Sequence, residues 1–356
     1  MVDKADGLTA AWLTRALAAS GHLDGERVTE VTLTPIGTGQ MSESLRLNLS
    51  YDRATKLPRT MVAKLPAASE TSRTTAKLLR SYENEIRFYQ EIAPGLPMRT
   101  PEAFFADIDG ESASFVLLLE DLSPARPGDQ LAGCSPELAK IAVDELVKLH
   151  APKWGDPSLE SLEWLHRDRV ANQTFLLAVL PGLWDSFLTR YASDINDDIR
   201  RAGDDLFTHL EAYVFADSAP WSIIHGDYRL DNLLFGPLRG GAGVAVVDWQ
   251  TCTHGPALQD VAYFIGASLS LDERRAAEET LVRDYHDGLL TAGVRGYDWD
   301  DCWHDYRRCA WAGLVMAIAA SNLVERTDRG DRMFLTMATR HARHALDLDA
   351  LGAIAG

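Results

Sequence analysis

Cysteine is scarce in this chain. Its 356 residues hold four, Cys134, Cys252, Cys302 and Cys309, far apart and without a CxxC pair. Free thiols in a reduced, cytoplasmic protein are the simpler reading. The opening, MVDKADGLTAAWL, lacks the basic n-region and apolar h-region of a secretion signal. No hydrophobic run is long enough to span a bilayer. The most apolar stretch, Cys309 to Val324, is short, includes the polar Ser321 and Asn322, and reads as a buried core helix. Positive charge is also in deficit, with 35 Lys and Arg against 52 Asp and Glu, a net −17. A field of that sign repels nucleic acid and anionic lipid, so neither is expected as a partner. Neither GxxxxGK[ST] nor GxSxG occurs, which excludes a P-loop and a hydrolase nucleophile elbow. Internal repeats and low-complexity segments are absent as well.

The composition that remains is ordinary for a globular protein, 46 % hydrophobic and 24 % charged. The length allows two domains. After a helical opening over Thr9–Ala19, Val31 and Leu33 alternate with threonines. Leu45, Leu47, Leu49 and Tyr51 then share one strand face. A third alternating run, TMVAKL, carries Lys64. Leu78, Tyr82, Ile86 and Tyr89 follow at helical spacing. FVLLL at 115–119 is a continuous apolar run, suited to a strand covered on both faces. Beyond a Pro/Gly/Ser connector at 123–136 the texture turns helical, over 136–150, 170–191, 197–215, 257–267, 272–292 and 300–325. The boundary is expected near residue 122, with a small β-rich lobe over 1–122 and a larger helical one over 123–356.

One break interrupts the helices. Ile223-Ile224 leads into His225-Gly-Asp227-Tyr-Arg229-Leu-Asp231-Asn232, which fits H-x-D-x-x-x-x-N. The runs LLF (233–235) and VAVV (244–247) flank a Gly/Pro-rich turn and pair naturally as a hairpin. Asn232 precedes the first and Asp248 follows the second, so antiparallel pairing brings an amide oxygen and a carboxylate together. That donor set suits magnesium, which takes oxygen ligands and keeps its other positions for phosphate and water. Aspartates at 227 and 231 also serve as ordinary turn caps, and it is the surrounding pattern that favours chemistry.

HGDYRLDN, then VVDWQ, then GPALQDVAYF resembles the aminoglycoside phosphotransferase family, whose superfamily includes choline, fructosamine and ecdysteroid kinase-like enzymes. The resemblance runs from Pro35 to Ile265 and is vague afterwards. It implies an α+β, bilobal protein-kinase-like fold and a kinase that moves the γ-phosphoryl group of ATP or GTP, with Mg2+, onto a hydroxylated small molecule. Asp227 would be the catalytic base or hydroxyl-orienting carboxylate, Asn232 and Asp248 would hold magnesium, and Lys64 would touch the α- and β-phosphates. Ile36 to Ser44 contains a reduced glycine loop, in which Gly37, Gly39, Ser42 and Ser44 would approach the phosphates. A plain hairpin turn is the bland account of that loop. Glu120 and Leu122 would frame the hinge that offers backbone groups to a purine edge.

The helical partner of Lys64 is Glu83 or Glu85. With Tyr82 at the centre of the apolar stripe, Glu85 falls about 60° away and Glu83 about 100°. Glu85 therefore lies nearer the buried face. His341 and His344 share a helix face with no carboxylate or cysteine near in sequence, so a solvated helix is expected there, not zinc. Tyr297 to Asp305 packs carboxylates among aromatics in a region that the resemblance assigns to the acceptor. Trp299 or Trp303 there would offer cation–π contact to a cationic acceptor. Two other readings stay open. One is a nucleotide-binding pseudokinase without turnover. The other is a protein kinase, disfavoured because Asp248 reaches GPALQD within seven residues, leaving no room for a peptide platform.

Overall fold

The structure, a computed structural model, describes residues 2–37, 41–165, 168–216, 220–241, 243–324 and 326–354. The chain divides into two units, one of Met1–Gly95, Thr100–Ala125 and Val247–Gln250, the other of Leu96–Arg99, Arg126–Val246 and Thr251–Gly356.

The first unit opens with helix α1 (Ala10–Ala19), capped by Thr9 Oγ1, which accepts from Trp12 N at 3.2 Å. Strands β1 (Val28–Pro35), β2 (Ser42–Tyr51) and β3 (Thr60–Pro66) come next, then helices α2 (Glu70–Leu78) and α3 (Ser81–Arg87). A π-helical turn (Phe88–Ile92) continues α3 and is followed by β4 (Ala103–Asp109) and β5 (Ser114–Glu120). The five strands form one antiparallel sheet ordered β1-β2-β3-β5-β4. Period-two alternation sends Leu45, Leu47 and Leu49 of β2 and Met61, Ala63 and Leu65 of β3 to one face. Leu8, Leu13 and Leu17 cover that face. Lys64 therefore belongs to the opposite face, central in the sheet between Ser44 of β2 and Leu117 of β5. Strand β5 is buried along its whole apolar run, as FVLLL indicates.

The helix expected through Leu78, Tyr82 and Ile86 is broken. Arg80 adopts left-handed backbone (φ 56°) between α2 and α3, which resets the helical phase. Leu78, placed on the apolar stripe by its spacing, is consequently 74 % exposed, while Tyr82, Ile86 and Tyr89 are buried.

The second unit contains β6 (Arg126–Pro127), α4 (Pro136–His150), α5 (Arg169–Arg190), α6 (Asp197–Thr208) and α7 (Leu210–Phe215). Four short strands follow, β7 (Trp221–Ile224), β8 (Leu233–Phe235), β9 (Val244–Val246) and β10 (Thr253–Pro256). The unit closes with α8 (Leu258–Ser268), α9 (Leu271–Thr291), α10 (Trp299–Cys309), α11 (Trp311–Leu323) and α12 (Asp328–Asp347). The apolar stretch after Cys309 is a buried helix, separated from α10 at Ala310. Strands β8 and β9 form the expected hairpin, Leu233 opposite Val246, while β7 pairs with β10. Among the described residues no helix is long and apolar enough to cross a membrane.

Candidate active site

In the first unit the sheet presents Lys64 to two carboxylates. Its Nζ lies 2.6 Å from Glu85 Oε1 and 3.1 Å from Asp248 Oδ1. Glu85 comes from α3 and is 1 % exposed, whereas Glu83 pairs with Arg80 at 2.9 Å. Burial pushes the Glu85 carboxyl up, against the pull of the Lys64 charge. Burial also weakens the Lys64 ammonium, but Asp248 and then Glu85 outweigh it and hold Lys64 above its ordinary value. Asp248 adopts φ 69°, in the left-handed region that aspartate tolerates better than most residues. The neighbouring Trp249 stacks on Phe88 at 3.7 Å between centroids, and Gln250 O accepts from Asn84 Nδ2 at 3.2 Å. The segment 247–250 is thus fastened to α3 and its π-helical extension.

Gly37 has φ 72°, open to glycine and costly for other residues, while Gly39 lies outside the described residues. Ser42 and Ser44 begin β2 opposite Pro66 and Lys64. Tyr82 Oη donates to Met41 O at 2.7 Å and accepts from Ala67 N at 3.1 Å, tying the end of the glycine loop to the end of β3. At the close of β5, Glu120 N donates to Glu102 O (2.8 Å), and Leu122 O accepts from Ala125 N (3.0 Å). Asp121 between them meets Arg46 with both carboxylate oxygens, at 2.8 and 3.1 Å.

In the second unit, β7 delivers the loop 225–232. Asp260, near the start of α8, accepts from His225 N at 2.6 Å and Gly226 N at 2.9 Å, clamping the loop's backbone. Gly226 has φ 80°, and a Cβ there would sit 2.6 Å from Thr251 O. His225 is fully buried, and its Nδ1 accepts from Asp227 N at 3.2 Å. The Asp227 carboxylate accepts from Arg229 Nε at both oxygens (3.1 Å each), from Tyr263 Oη (2.8 Å) and from Asn232 Nδ2 (3.0 Å). Asn232 Nδ2 also donates to Asp227 O at 2.9 Å. Its Oδ1 makes no hydrogen bond among the described residues and remains available for a hard cation.

Asp231 pairs with Arg229 Nη1 at 2.5 Å and with Arg329 of α12, and accepts from Gln130 N at 3.2 Å. Burial works upward on this carboxyl, but Arg229 and those hydrogen bonds hold it below its ordinary value. Asp231 is thus an anchor for Arg229. Arg229, Asp260 and Tyr263 all lie inside the quoted motifs, yet spacing alone gave them no role: Asp260 and Tyr263 meet their partners by tertiary contact, and Arg229 pairs locally, with Asp227 and Asp231 two positions away. An arginine two positions after the loop aspartate and an acid opening the helix after Gly-Pro are the available signals.

The region 297–305 is largely self-satisfied. Asp298 caps α10 by accepting from Asp301 N at 3.0 Å. Asp305 accepts from Tyr297 Oη at 2.9 Å and pairs with Arg308 at 2.5 Å. Trp299 already carries the Arg283 guanidinium 3.8 Å over its ring, and Trp303 stacks between Trp299 and Tyr306. The cation–π face expected for an acceptor at Trp299 is therefore taken. A cavity of about 480 Å³ lies here, lined by Trp154, Tyr297, Asp301, His304 and Asp305 among others. His341 and His344, expected on a solvated face, are fully buried because α12 packs this side onto α8 and α11. Among the described residues no group of three or more His, Cys, Asp or Glu side chains could hold a metal.

An antiparallel sheet with a buried lysine–glutamate pair, followed by a helical unit carrying an HxDxxxxN loop, defines the kinase-like class of phosphotransferase folds. The chain belongs to the phosphotransferase enzyme family, whose family model matches residues 43–301. The solved choline kinase from Cryptosporidium parvum is similar over 97 % of this chain and 96 % of its own, with a TM-score of 0.60 at 9 % identity. The GDP complex of wild-type aminoglycoside 2'-phosphotransferase-IIIa is similar over 94 % and 99 %, with a TM-score of 0.53 at 12 % identity. At these identities the likeness is one of fold. Among curated proteins, the uncharacterized oxidoreductase dhs-27 of Caenorhabditis elegans is 21 % identical over 333 residues, 81 % of this chain. The chain spans only 38 % of that relative's length.

Proposed function

We propose that this chain is an ATP- and magnesium-dependent phosphotransferase that moves the γ-phosphoryl group onto a hydroxyl of a small molecule, in the cytoplasm. The observation that carries the reading is the buried Lys64, held charged between Glu85 and Asp248. A fixed cation amid carboxylates in a sheet interior contributes little to stability for its cost and is well suited to receive phosphate oxygens. Lys64 takes the α- and β-phosphates, Ser42, Ser44 and the backbone of the glycine loop approach the phosphates, and the 120–122 backbone meets the purine edge. Asn232, through its Oδ1, and the Asp248 carboxylate are the oxygen donors that would hold magnesium. Magnesium, when bound, neutralises charge on the β- and γ-phosphates. Asp227 orients the acceptor hydroxyl and takes its proton as the new O–P bond forms and the bond to the β-phosphate oxygen breaks. GTP is the competing donor, since the aminoglycoside 2'-phosphotransferase relative has been solved with GDP.

The test is calorimetry with MgATP and MgGTP, followed by a screen of hydroxylated metabolites and antibiotics for nucleotide consumption. Binding with turnover on at least one alcohol is expected. Binding without turnover on any acceptor would make the chain a pseudokinase, and no binding at all would remove the nucleotide reading.

A further inference from the structure

Three donors surround the Asp227 carboxylate. Two of them, Arg229 and Asn232, belong to the loop that carries Asp227 and move with it. Among the described residues, Tyr263 is the donor that reaches the carboxylate from outside the loop, from the middle of α8, at 2.8 Å to Oδ1. Its ring is 4 % exposed and lies flat on His341 of α12, with centroids 5.4 Å apart and planes 5° apart. His341 in turn sits where larger neighbours would not fit. A Cβ on Gly266 would come 2.7 Å from His341 Nδ1, and one on Gly313 would overlap the ring. Both His341 nitrogens are buried without a hydrogen-bond partner among the described residues. A stability role for that imidazole is poor, since an unpartnered buried donor is costly. The contact its ring does make is the stacked one with Tyr263.

We propose that Tyr263 is a positioning residue that fixes the Asp227 carboxylate against the helical body of the second unit, with the His341 ring as the backstop that fixes Tyr263. Burial, then the Asp227 charge, push the Tyr263 phenol well above its ordinary value, so it remains a donor. Burial, then His344, hold His341 well below its own, so the backstop stays neutral. The proposal rests on the phosphotransfer reading for its catalytic consequence, but the geometry it asserts can be examined without an acceptor.

Tyr263→Phe removes the hydroxyl and keeps the ring on His341. In the nucleotide-free protein, amide exchange over residues 225–232 is expected to rise about tenfold or more, with α8 and α12 unchanged and melting close to wild type. With MgATP and the best alcohol from the screen, kcat is expected to fall about 10- to 100-fold, the scale of a small misplacement of a reacting group. The KM for MgATP should not move. Unchanged exchange over 225–232 overturns the proposal, as does raised exchange with an unaltered kcat. A loss of melting temperature shared by α8 and α12 marks Tyr263 as packing alone and overturns it too. If wild type turns over no acceptor, the phosphotransfer reading fails separately, and the exchange measurement alone decides whether Tyr263 holds Asp227.

Discussion

Replacing Lys64 by methionine isolates the electrostatics of the first unit. The ammonium attracts Glu85 at 2.6 Å and Asp248 at 3.1 Å, about 6 and about 5 kcal/mol gross at an effective dielectric of 20. Desolvation offsets much of this, because Lys64 is 10 % and Glu85 1 % exposed at the side chain. Removing the cation strands Glu85 beside Asp248, and breaking a buried pair in this way costs about 3–5 kcal/mol. The cost depends on pH. Burial already raises the Glu85 carboxyl, and the Lys64 charge is the main influence pulling it down. In Lys64→Met the folded protein therefore binds a proton that the unfolded chain has released. Stability is retained below the ordinary glutamate value and falls as pH rises through the raised one. Urea unfolding at pH 5 and pH 8 should show the larger penalty at pH 8. Lys64→Met with Glu85→Gln should recover most of it and flatten the dependence. A penalty under about 1 kcal/mol that is flat with pH would mean a surface-grade ion pair and refute the argument.

Asp227→Asn should keep nucleotide affinity and cut turnover about 10²- to 10⁴-fold, and near-normal turnover would take Asp227 out of the chemistry. Asp248→Ala should abolish magnesium-dependent nucleotide binding by calorimetry. Its nucleotide-free stability should fall by only about 1–2 kcal/mol, the cost of alanine in left-handed backbone, since Lys64 keeps Glu85 as partner; unchanged Mg-nucleotide affinity would contradict the metal assignment. Gly226→Ala combines left-handed backbone with a clash on Thr251 O and should destabilise by more than about 1–2 kcal/mol, read by denaturant midpoint.

What the sequence made legible is what short-range period and spacing carry. The alternation of β2 and β3 put Leu45, Leu47 and Leu49 on one face, and helical geometry favoured Glu85 over Glu83 toward Lys64. The runs at 233–235 and 244–247 announced their hairpin. Period failed where backbone geometry changed within an apolar pattern. Arg80 breaks the helix and turns Leu78 outward. It failed again where polarity misled, since His341 and His344 are buried. The clamps on the loop were also beyond its reach. Asp260 and Tyr263 act on residues some 35 positions earlier, and no local pattern encodes that distance.

The route of the chain bears on how this architecture can be cut and recombined. It passes from one unit to the other five times, after Gly95, Arg99, Ala125, Val246 and Gln250. The last excursion returns four residues, Val247–Gln250, to a unit whose other segments ended at Ala125. Those four carry Asp248 for Lys64, the indole that stacks on Phe88, and the carbonyl that holds Asn84. A gene fragment ending at Ala125 would encode every strand of the sheet and still leave Lys64 with one counter-ion and Phe88, in the π-helical extension of α3, without the indole that stacks on it. The first unit is therefore not a transplantable module. Domain shuffling, circular permutation or split-protein designs that sever the chain between Ala125 and Val247 must supply the four-residue return in trans, and inheritance of the fold is expected to keep both units together.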